Sequence, residues 1–494
     1  MARRFLSRRA LRQSLESLEQ RLALTTFYVA PGGSDAASGA TDAPWQTLQH
    51  AADLVVPGDV VIARTGHYAG FDLDRDGTAA ARITFRGEGQ PVIDRPNART
   101  PDGINLEGAD YITIEGFKVV GQPRAGIRSV VNENVEILNN VTDQNGRWGI
   151  FTGFSDDLLI EGNVCTNSFL EHGIYVSNSG DRPVIRGNTV YGNHANGIHM
   201  NGDESQGGDG VISGALVENN LIYDNGSGGG SAINADGVQN SRIQNNLIYD
   251  NHASGISLYR IDGGGPSTGN VVANNTVVQA DDARWALNIR DGSADNTVIN
   301  NIFLSYHSYR GAMSVAADSL PGLESDYNAV IDRFTTDDGD SRLTLAEWRA
   351  ATGQDAHSFV APPEELFVNV NDDFSLKYNA PAVDAGTANQ APPTDYRGAA
   401  RPRGAANDIG AFEYVPPGPS LGDANEDGRI DLTDFGILKA NFGQSGGWTR
   451  GDFNGNGRVD LTDFGLLKNA FGLAGALNQD VLLGLAMDQA RRGR

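Results

Sequence analysis

The chain has 494 residues, enough to bury a large core and to hold more than one unit. Its 62 glycines suit a fold made mostly of tight turns, and its formal net charge of −24 argues against nucleic acid or an anionic membrane as a partner. One cysteine excludes an intramolecular disulfide framework, and no run approaches the ~18 apolar residues of a membrane helix.

Residues 1–26 place Arg3, Arg4, Arg8, Arg9, Arg12 and Arg21 around Leu15-Glu16-Ser17-Leu18-Glu19-Gln20-Arg21-Leu22, without the apolar core of an ordinary signal peptide. The segment resembles the basic leaders with an L-E-x-L-E-x-R-L core on many secreted proteins of certain environmental bacteria. That resemblance implies a secreted or cell-surface bacterial protein. Phe27-Tyr28-Val29 then reads as a strand. Trp45 to Val56 has helical spacing (Trp45, Leu48, Ala52, Val55) behind Asp42 and Pro44, and Asp59-Val60-Val61-Ile62 resumes a strand pattern. An amphipathic helix here is a lid for the apolar end of a stack.

From Gly103 to Asp291 one short phrase recurs: a small residue, Ile or Leu, an outward residue, then another apolar or small one. Its Ile or Leu stands at 104, 127, 150, 174, 198, 233, 256 and 287. The spacing is nearly constant and lengthens only between 198 and 233 and between 256 and 287. A period that short with strand-like contents predicts coils that stack on themselves, the inward aliphatics forming one ladder. A second row, Asn140, Asn163, Asn188, Asn220, Asn246, Asn275 and Asn301, predicts asparagines stacked inside a turn. Cys165 falls in register with Val190, Ile222 and Ile248 and reads as a buried hydrophobe.

The period breaks over 310–415, where Leu343–Ala351 reads as a helix and Asp408-Ile409-Gly410-Ala411-Phe412-Glu413 closes the region; Pro416-Pro417-Gly418-Pro419 reads as a linker over 416–420. The opening Tyr28-Val29-Ala30-Pro31-Gly32-Gly33-Ser34-Asp35, the coils and the closing phrase resemble right-handed parallel β-helix proteins of the pectate-lyase-like superfamily, with a tail of the choice-of-anchor Q type. The resemblance implies an all-β solenoid over 27–309 with an N-terminal capping helix, followed over 310–415 by the C-terminal end of the β-helix and an irregular capping region. It is specific for fold and weak for reaction, since that superfamily holds lyases, hydrolases, epimerases and proteins without known activity.

Two loops, opening at Asp423 and Asp452, carry oxygen donors at loop positions 1, 3, 5, 9 and 12, a glycine at 6 and a backbone carbonyl at 7. They are Asp423, Asn425, Asp427, Arg429, Asp431 and Asp434, then Asp452, Asn454, Asn456, Arg458, Asp460 and Asp463. The pattern predicts two Ca²⁺ sites, the second weaker because Asn456 replaces Asp427. The pair resembles a type I dockerin module over 421–472, which implies a cohesin-like partner bound through Leu432-Thr433 and Leu461-Thr462; a tail over 473–494 follows. A module that merely terminates or anchors the protein fits the same residues.

Stacking places the outward residues of successive coils side by side, and their variety between Tyr175 and Arg290 marks the candidate site. Tyr175 and His199 are candidates for acid and base, and Arg290 or Arg260 for holding a carboxylate. Asn201, Asn234, Asp236 and Tyr259 are candidates for binding substrate. Asp203, Glu204, Asp209 and Asp236 are candidates for a further Ca²⁺ at the groove. The expected function is a monomeric protein that binds, and cleaves by uronate β-elimination, an acidic polysaccharide. The alternatives are glycoside hydrolysis by a pair among Glu171, Asp203, Glu204 and Asp236, and a non-catalytic adhesin or matrix protein.

Overall fold

The computed structural model describes residues 25–415, 421–425 and 429–471; the basic N-terminal segment up to Leu24, the proline-rich 416–420, Asp427 and the tail beyond 471 lie outside the described residues. The chain divides into two units: residues up to Pro363 with Asp384–Phe412, and Glu364–Val383 with the chain from Glu413 onward.

The first unit is a parallel β-solenoid. Each coil contributes one strand to each of three sheets, as in Glu136–Leu138 (sheet I), Val141–Asp143 (sheet III) and Trp148–Gly153 (sheet II), before Leu159–Glu161 returns to sheet I. Sheets I and III have 12 strands and sheet II has 11. The recurring phrase lies in sheet II, and its register is the one the spacing predicts. Ile104, Ile127, Ile150, Ile174, Ile198, Ile233, Ile256 and Leu287 pair in sequence, and Phe71, Met313 and Phe334 extend the ladder at its ends. Each is fully buried, a contribution of roughly 1.5–3 kcal/mol per side chain. The two long steps, from Ile198 to Ile233 and from Ile256 to Leu287, are absorbed by loops, so the inner register is undisturbed.

The small residue before each Ile has a steric cause. A Cβ on Gly173 would lie 2.3 Å from Val190 Cγ1, and one on Gly197 would lie 2.6 Å from Ile222 Cγ2. The glycine therefore points inward, as does the Ile after it, and the strand's alternation slips by one at that point. The residue before the glycine consequently faces outward.

Stacked asparagines close the corner between sheets I and III. The backbone N–H of Asn140 donates to Asn163 Oδ1 at 2.9 Å, and the same bond repeats through Asn188, Asn220, Asn246, Asn275 and Asn301 to Asn328. Each Nδ2 donates in turn to a carbonyl, as Asn188 does to Ile160 at 2.9 Å. A buried polar turn is thereby satisfied inside the stack. A second such ladder runs through Asn193, Asn225 and Asn251 at the corner between sheets III and II. Cys165 is buried beside Val190, and burial pushes its thiol up to about 12.

The N-terminal helix is shorter than its spacing suggests, Leu48–Leu54 rather than Trp45–Val56. Thr47 takes the cap, its side chain accepting from His50 N–H, while Trp45 stays extended and stacks on Phe27 at 4.5 Å. The second helix, Leu345–Thr352, starts at a Thr344/Glu347 capping box. Coiling continues past residue 309 to Phe359–Val360. Residues 384–412 then return along the stack as a strap. Asn245, Asn274 and Asn300, all at φ between 52 and 56°, donate their side-chain amides to carbonyls of Thr394, Asp408 and Thr387.

The second unit contains an antiparallel hairpin, Phe367–Asn369 with Asp373–Leu376, and two helices, Leu432–Asn441 and Leu461–Ala470. Ile430, Leu438, Phe453, Val459 and Leu467 form the core of the helical part, and Phe435 lies 5.9 Å from Phe464 across its internal repeat. No helix among the described residues is long and apolar enough to cross a membrane.

Candidate functional site

The outward face of sheet II gathers two groups of side chains. The first surrounds Tyr175 and His199. Their rings stack at 4.8 Å with an interplanar angle of 12°. His172, one of the outward residues produced by the slipped alternation, packs edge-on to both, and its Nε2 lies 3.1 Å from His199 Nδ1. Asn201 Nδ2 donates to Tyr175 Oη at 3.2 Å and to Asp262 Oδ2 at 3.3 Å. Burial sets the electrostatics: it lowers His172 well below the usual imidazole value, lowers His199 to about 3 and raises Tyr175 to about 12. Both imidazoles are therefore neutral at pH 7. Two buried atoms here have no hydrogen-bond partner among the described residues, His199 Nε2 and Asn201 Oδ1.

On the N-terminal side the cluster continues into Phe151 and Trp148, stacked at 4.5 Å. Trp148 Nε1 donates to Glu171 Oε2 at 2.7 Å, and Arg147 pairs with the other oxygen of Glu171 at 2.5 Å. Glu171 is thus engaged twice.

The second group lines a pocket of about 350 Å³. Asn234 donates to Tyr259 Oη at 2.7 Å, and Ser231 donates to Ser257 Oγ at 2.8 Å. Arg284 and Arg290 complete the wall. Arg290 lies 3.4 Å from Asp291 and 3.5 Å from Asp338. The Arg284 guanidinium has no ion-pair or hydrogen-bond partner among the described residues, and it reaches back to within 4.0 Å of where a Cβ on Gly229 would stand.

Several sequence candidates therefore serve other ends. Asn288, two residues before Arg290, is four coils from Tyr175 in the outward row, about 19 Å at the ~4.8 Å spacing of paired strands. Arg290 and Tyr175 do not meet on one sugar. Arg260 bonds the carbonyl of Gly263 in its own loop. Asp236 accepts the backbone N–H groups of Ile261, Asp262 and Gly263, so it shapes that loop. Asp203 accepts from Ser205 and Asp209 from Val211 N–H, and the Asp203, Glu204, Asp209 and Asp236 carboxylates expected to hold a groove calcium do not gather into one metal-binding group. Sequence reasoning missed His172, because strict alternation from Ile174 places it inside. It also missed Arg284, whose only signal is its place one residue before the Trp285-Ala286-Leu287 phrase.

In the second unit each loop is closed by its twelfth residue. Asp463 Oδ1 accepts Phe453 and Asn454 N–H at 2.8 and 3.1 Å, and its Oδ2 accepts Asp460 N–H at 2.9 Å. Asp434 makes the same bonds to Ala424, Asn425 and Asp431. Asp452 accepts Asn456 and Gly457 N–H at 3.2 and 2.8 Å, which winds the second loop around its first residue. The donors of that loop are all oxygen, the set a hard divalent cation takes. Asp427 of the first loop lies outside the described residues.

Family models match three stretches. The Pel9A-like right-handed beta helix region matches residues 27–170, the right-handed beta helix region matches 170–319, and the dockerin type I domain matches 421–472. A pectate lyase of Emericella nidulans, PEL9, is 35% identical over 92 residues, 17% of this chain and 22% of that one. An uncharacterized Bacillus subtilis protein, YwoF, is 34% identical over 89 residues, 18% of each chain. The chain thus matches about a fifth of the length of these relatives. The crystal structure of pectate lyase Pel9A superposes with a TM-score of 0.55 at 16% identity, covering 80% of this chain and 98% of that one, a likeness of fold. The chain is a right-handed parallel β-helix protein of the pectate-lyase-like kind that carries a C-terminal type I dockerin domain.

Proposed function

We propose that this protein is secreted, binds an acidic polysaccharide along the outward face of sheet II and cleaves it by β-elimination. The observation that carries the reading is Arg284: a guanidinium without a partner among the described residues, at the wall of a sugar-sized pocket, in a chain of net charge −24. Elimination requires a neutralised carboxylate beside groups that move protons. Arg284 reaches toward the coil of Asn234, and His199 stands one coil further along the row. Arg284 takes the carboxylate as a bidentate partner, in place of Arg260, whose head is turned into its own loop, and Arg290 supports the far end of the pocket. Tyr175 and His199 supply the proton-transfer groups, while Asn201, Asn234 and Tyr259 orient the sugar. Hydrolysis by two carboxylates is disfavoured, since Glu171 and Asp236 are both engaged.

The dockerin domain holds Ca²⁺ through Asp452, Asn454, Asn456, the Arg458 carbonyl, Asp460 and Asp463, and through the matching donors of the first loop. It attaches the protein to a cohesin-like partner. A panel of oligouronates and neutral glycans, scored for binding and for unsaturated product in the ultraviolet, tests the reading. Uronate binding that falls about tenfold in Arg284→Gln, with product lost in His199→Ala, is expected. Binding without product on any uronate makes the protein an adhesin, and a preference for neutral glycans removes the reading altogether.

A further inference from the structure

The hydrogen bonds around His172 have a defined direction. Ser231 N–H donates to Asn196 Oδ1 at 2.6 Å, which turns the amide nitrogen of Asn196 toward His172. Asn196 N–H and Nδ2 then both lie 3.2 Å from His172 Nδ1. Two donors converge on that atom, so it carries a lone pair, and the proton of the neutral ring is on Nε2. His172 Nε2 is 3.1 Å from His199 Nδ1, so it donates there, and the proton of His199 is on its own Nε2. That atom is buried and has no partner among the described residues. All four residues of the chain are at least nine-tenths buried, at 3, 4, 8 and 9% exposure for Ser231, Asn196, His172 and His199.

We infer that Ser231, Asn196 and His172 are positioning residues that lock His199 as an Nε2–H donor aimed at an oxygen acceptor of the bound ligand. The opposite polarity would set a His172 Nδ1–H against the backbone N–H of Asn196, an unpaired donor clash in a dry site. The inference rests on the proposed polysaccharide site for its ligand and narrows the part of His199 there to hydrogen-bond donation, because a neutral imidazole with its proton on Nε2 is no base at that atom. Tyr175 Oη, a neutral phenol, accepts from Asn201. His199 Nε2 and Asn201 Oδ1 stand two residues apart on one strand, a donor and an acceptor awaiting the same ligand. A sugar hydroxyl or a carboxylate oxygen meets the donor.

Histidine tautomers are read directly by long-range ¹H–¹⁵N correlation. The full chain, labelled with ¹⁵N-histidine, has eight histidines, and single substitutions assign the two of interest. Both rings are expected as the Nε2–H form at neutral pH; an Nδ1–H form at His199 overturns the proposal. In His172→Phe the His199 nitrogens are expected to move toward averaged values, and an unchanged His199 tautomer there refutes the positioning role. Should that variant not fold, the wild-type tautomers still decide. Added trigalacturonate is expected to shift His199 Nε2, and binding that leaves that resonance in place overturns the ligand-facing role. Absence of unsaturated product, with the tautomers as expected, removes the elimination reading and leaves the locked donor standing.

Discussion

The asparagine ladder makes a quantitative demand at Asn188. Its Oδ1 accepts Asn163 N–H and Nδ2 at 2.9 and 3.0 Å, and its Nδ2 donates to Ile160 O at 2.9 Å and Asn220 Oδ1 at 3.0 Å. In Asn188→Ala, Asn163 Nδ2 keeps its bond to Ile137 O and Asn220 Oδ1 is lost only as an acceptor from the side chain, since Asn188 N–H still reaches it. The Asn163 N–H and the Ile160 carbonyl lose these partners inside the stack. At about 1–3 kcal/mol for the unsatisfied Asn163 N–H, and about 1 kcal/mol for each bond lost at Ile160 O and Asn220 Oδ1, which keep other partners, the loss is about 4 kcal/mol.

Because a solenoid couples mainly to its neighbours, a local probe suits the question better than a global melt. Cys165 is the sole cysteine, is fully buried, and its strand partner Val190 is two residues from Asn188. Labelling by a thiol reagent under native conditions then reports the opening of that coil. A loss of about 4 kcal/mol raises the labelling rate roughly a thousandfold, at about 1.4 kcal/mol per decade. Asn188→Asp should be worse than Ala, since it sets a buried carboxylate oxygen against the Ile160 carbonyl. A labelling rate within about tenfold of wild type in Asn188→Ala, or an aspartate milder than alanine, refutes the account of the ladder as buried polar satisfaction.

Two further outcomes are expected. His199 is lowered to about 3 by burial, so between that value and its ordinary 6.5 the unfolded chain binds a proton that the folded one excludes. Its contribution is therefore full above pH 6.5 and is lost as pH falls, by about 2 kcal/mol between pH 6.5 and 5. Urea midpoints across that range should show a flatter acid limb in His199→Gln, and identical limbs would contradict the burial argument. Chelation, or Asp463→Ala, should abolish the near-ultraviolet signal of Trp448 and leave the solenoid's thermal midpoint unchanged. A fall of that midpoint would mean that calcium also holds the coils.

The inner face of this fold is legible because it repeats. Eight aliphatics at nearly constant spacing admit one register, and a slip by one residue would turn all of them outward. The asparagine row is legible for the same reason. What escaped the sequence follows from the glycine beside each isoleucine. Alternation counted back from Ile174 puts His172 in the core, whereas the inward glycine at 173 reverses the parity and turns His172 onto the face of Tyr175. Arg284 escaped because a long side chain is not confined to its own coil, and its head reaches back toward Gly229. That Tyr175 and His199 lie side by side is legible from register alone, and their stacking follows directly from strand pairing.

The inserted loops show where register stops informing. Insertions lengthen the coils at 201–214 and 260–269, where long loops on one side of a regular scaffold are expected to wall a groove. The two brace one another. Glu204 N–H donates to Asp262 O at 2.9 Å, and Gly264 N–H donates to Gly210 O at 2.8 Å, while the Asp236 carboxylate gathers three N–H groups of the second loop beneath them. Asp262 then reaches Asn201, the residue whose Oδ1 has no partner. An acidic residue read as a ligand for substrate or metal is thus the fastening of a cover. That assignment needs a contact between loops from different coils, which no one-dimensional pattern encodes. A solenoid's outer surface becomes an interior only where neighbouring insertions close over it, and on this face they close beside the locked imidazole.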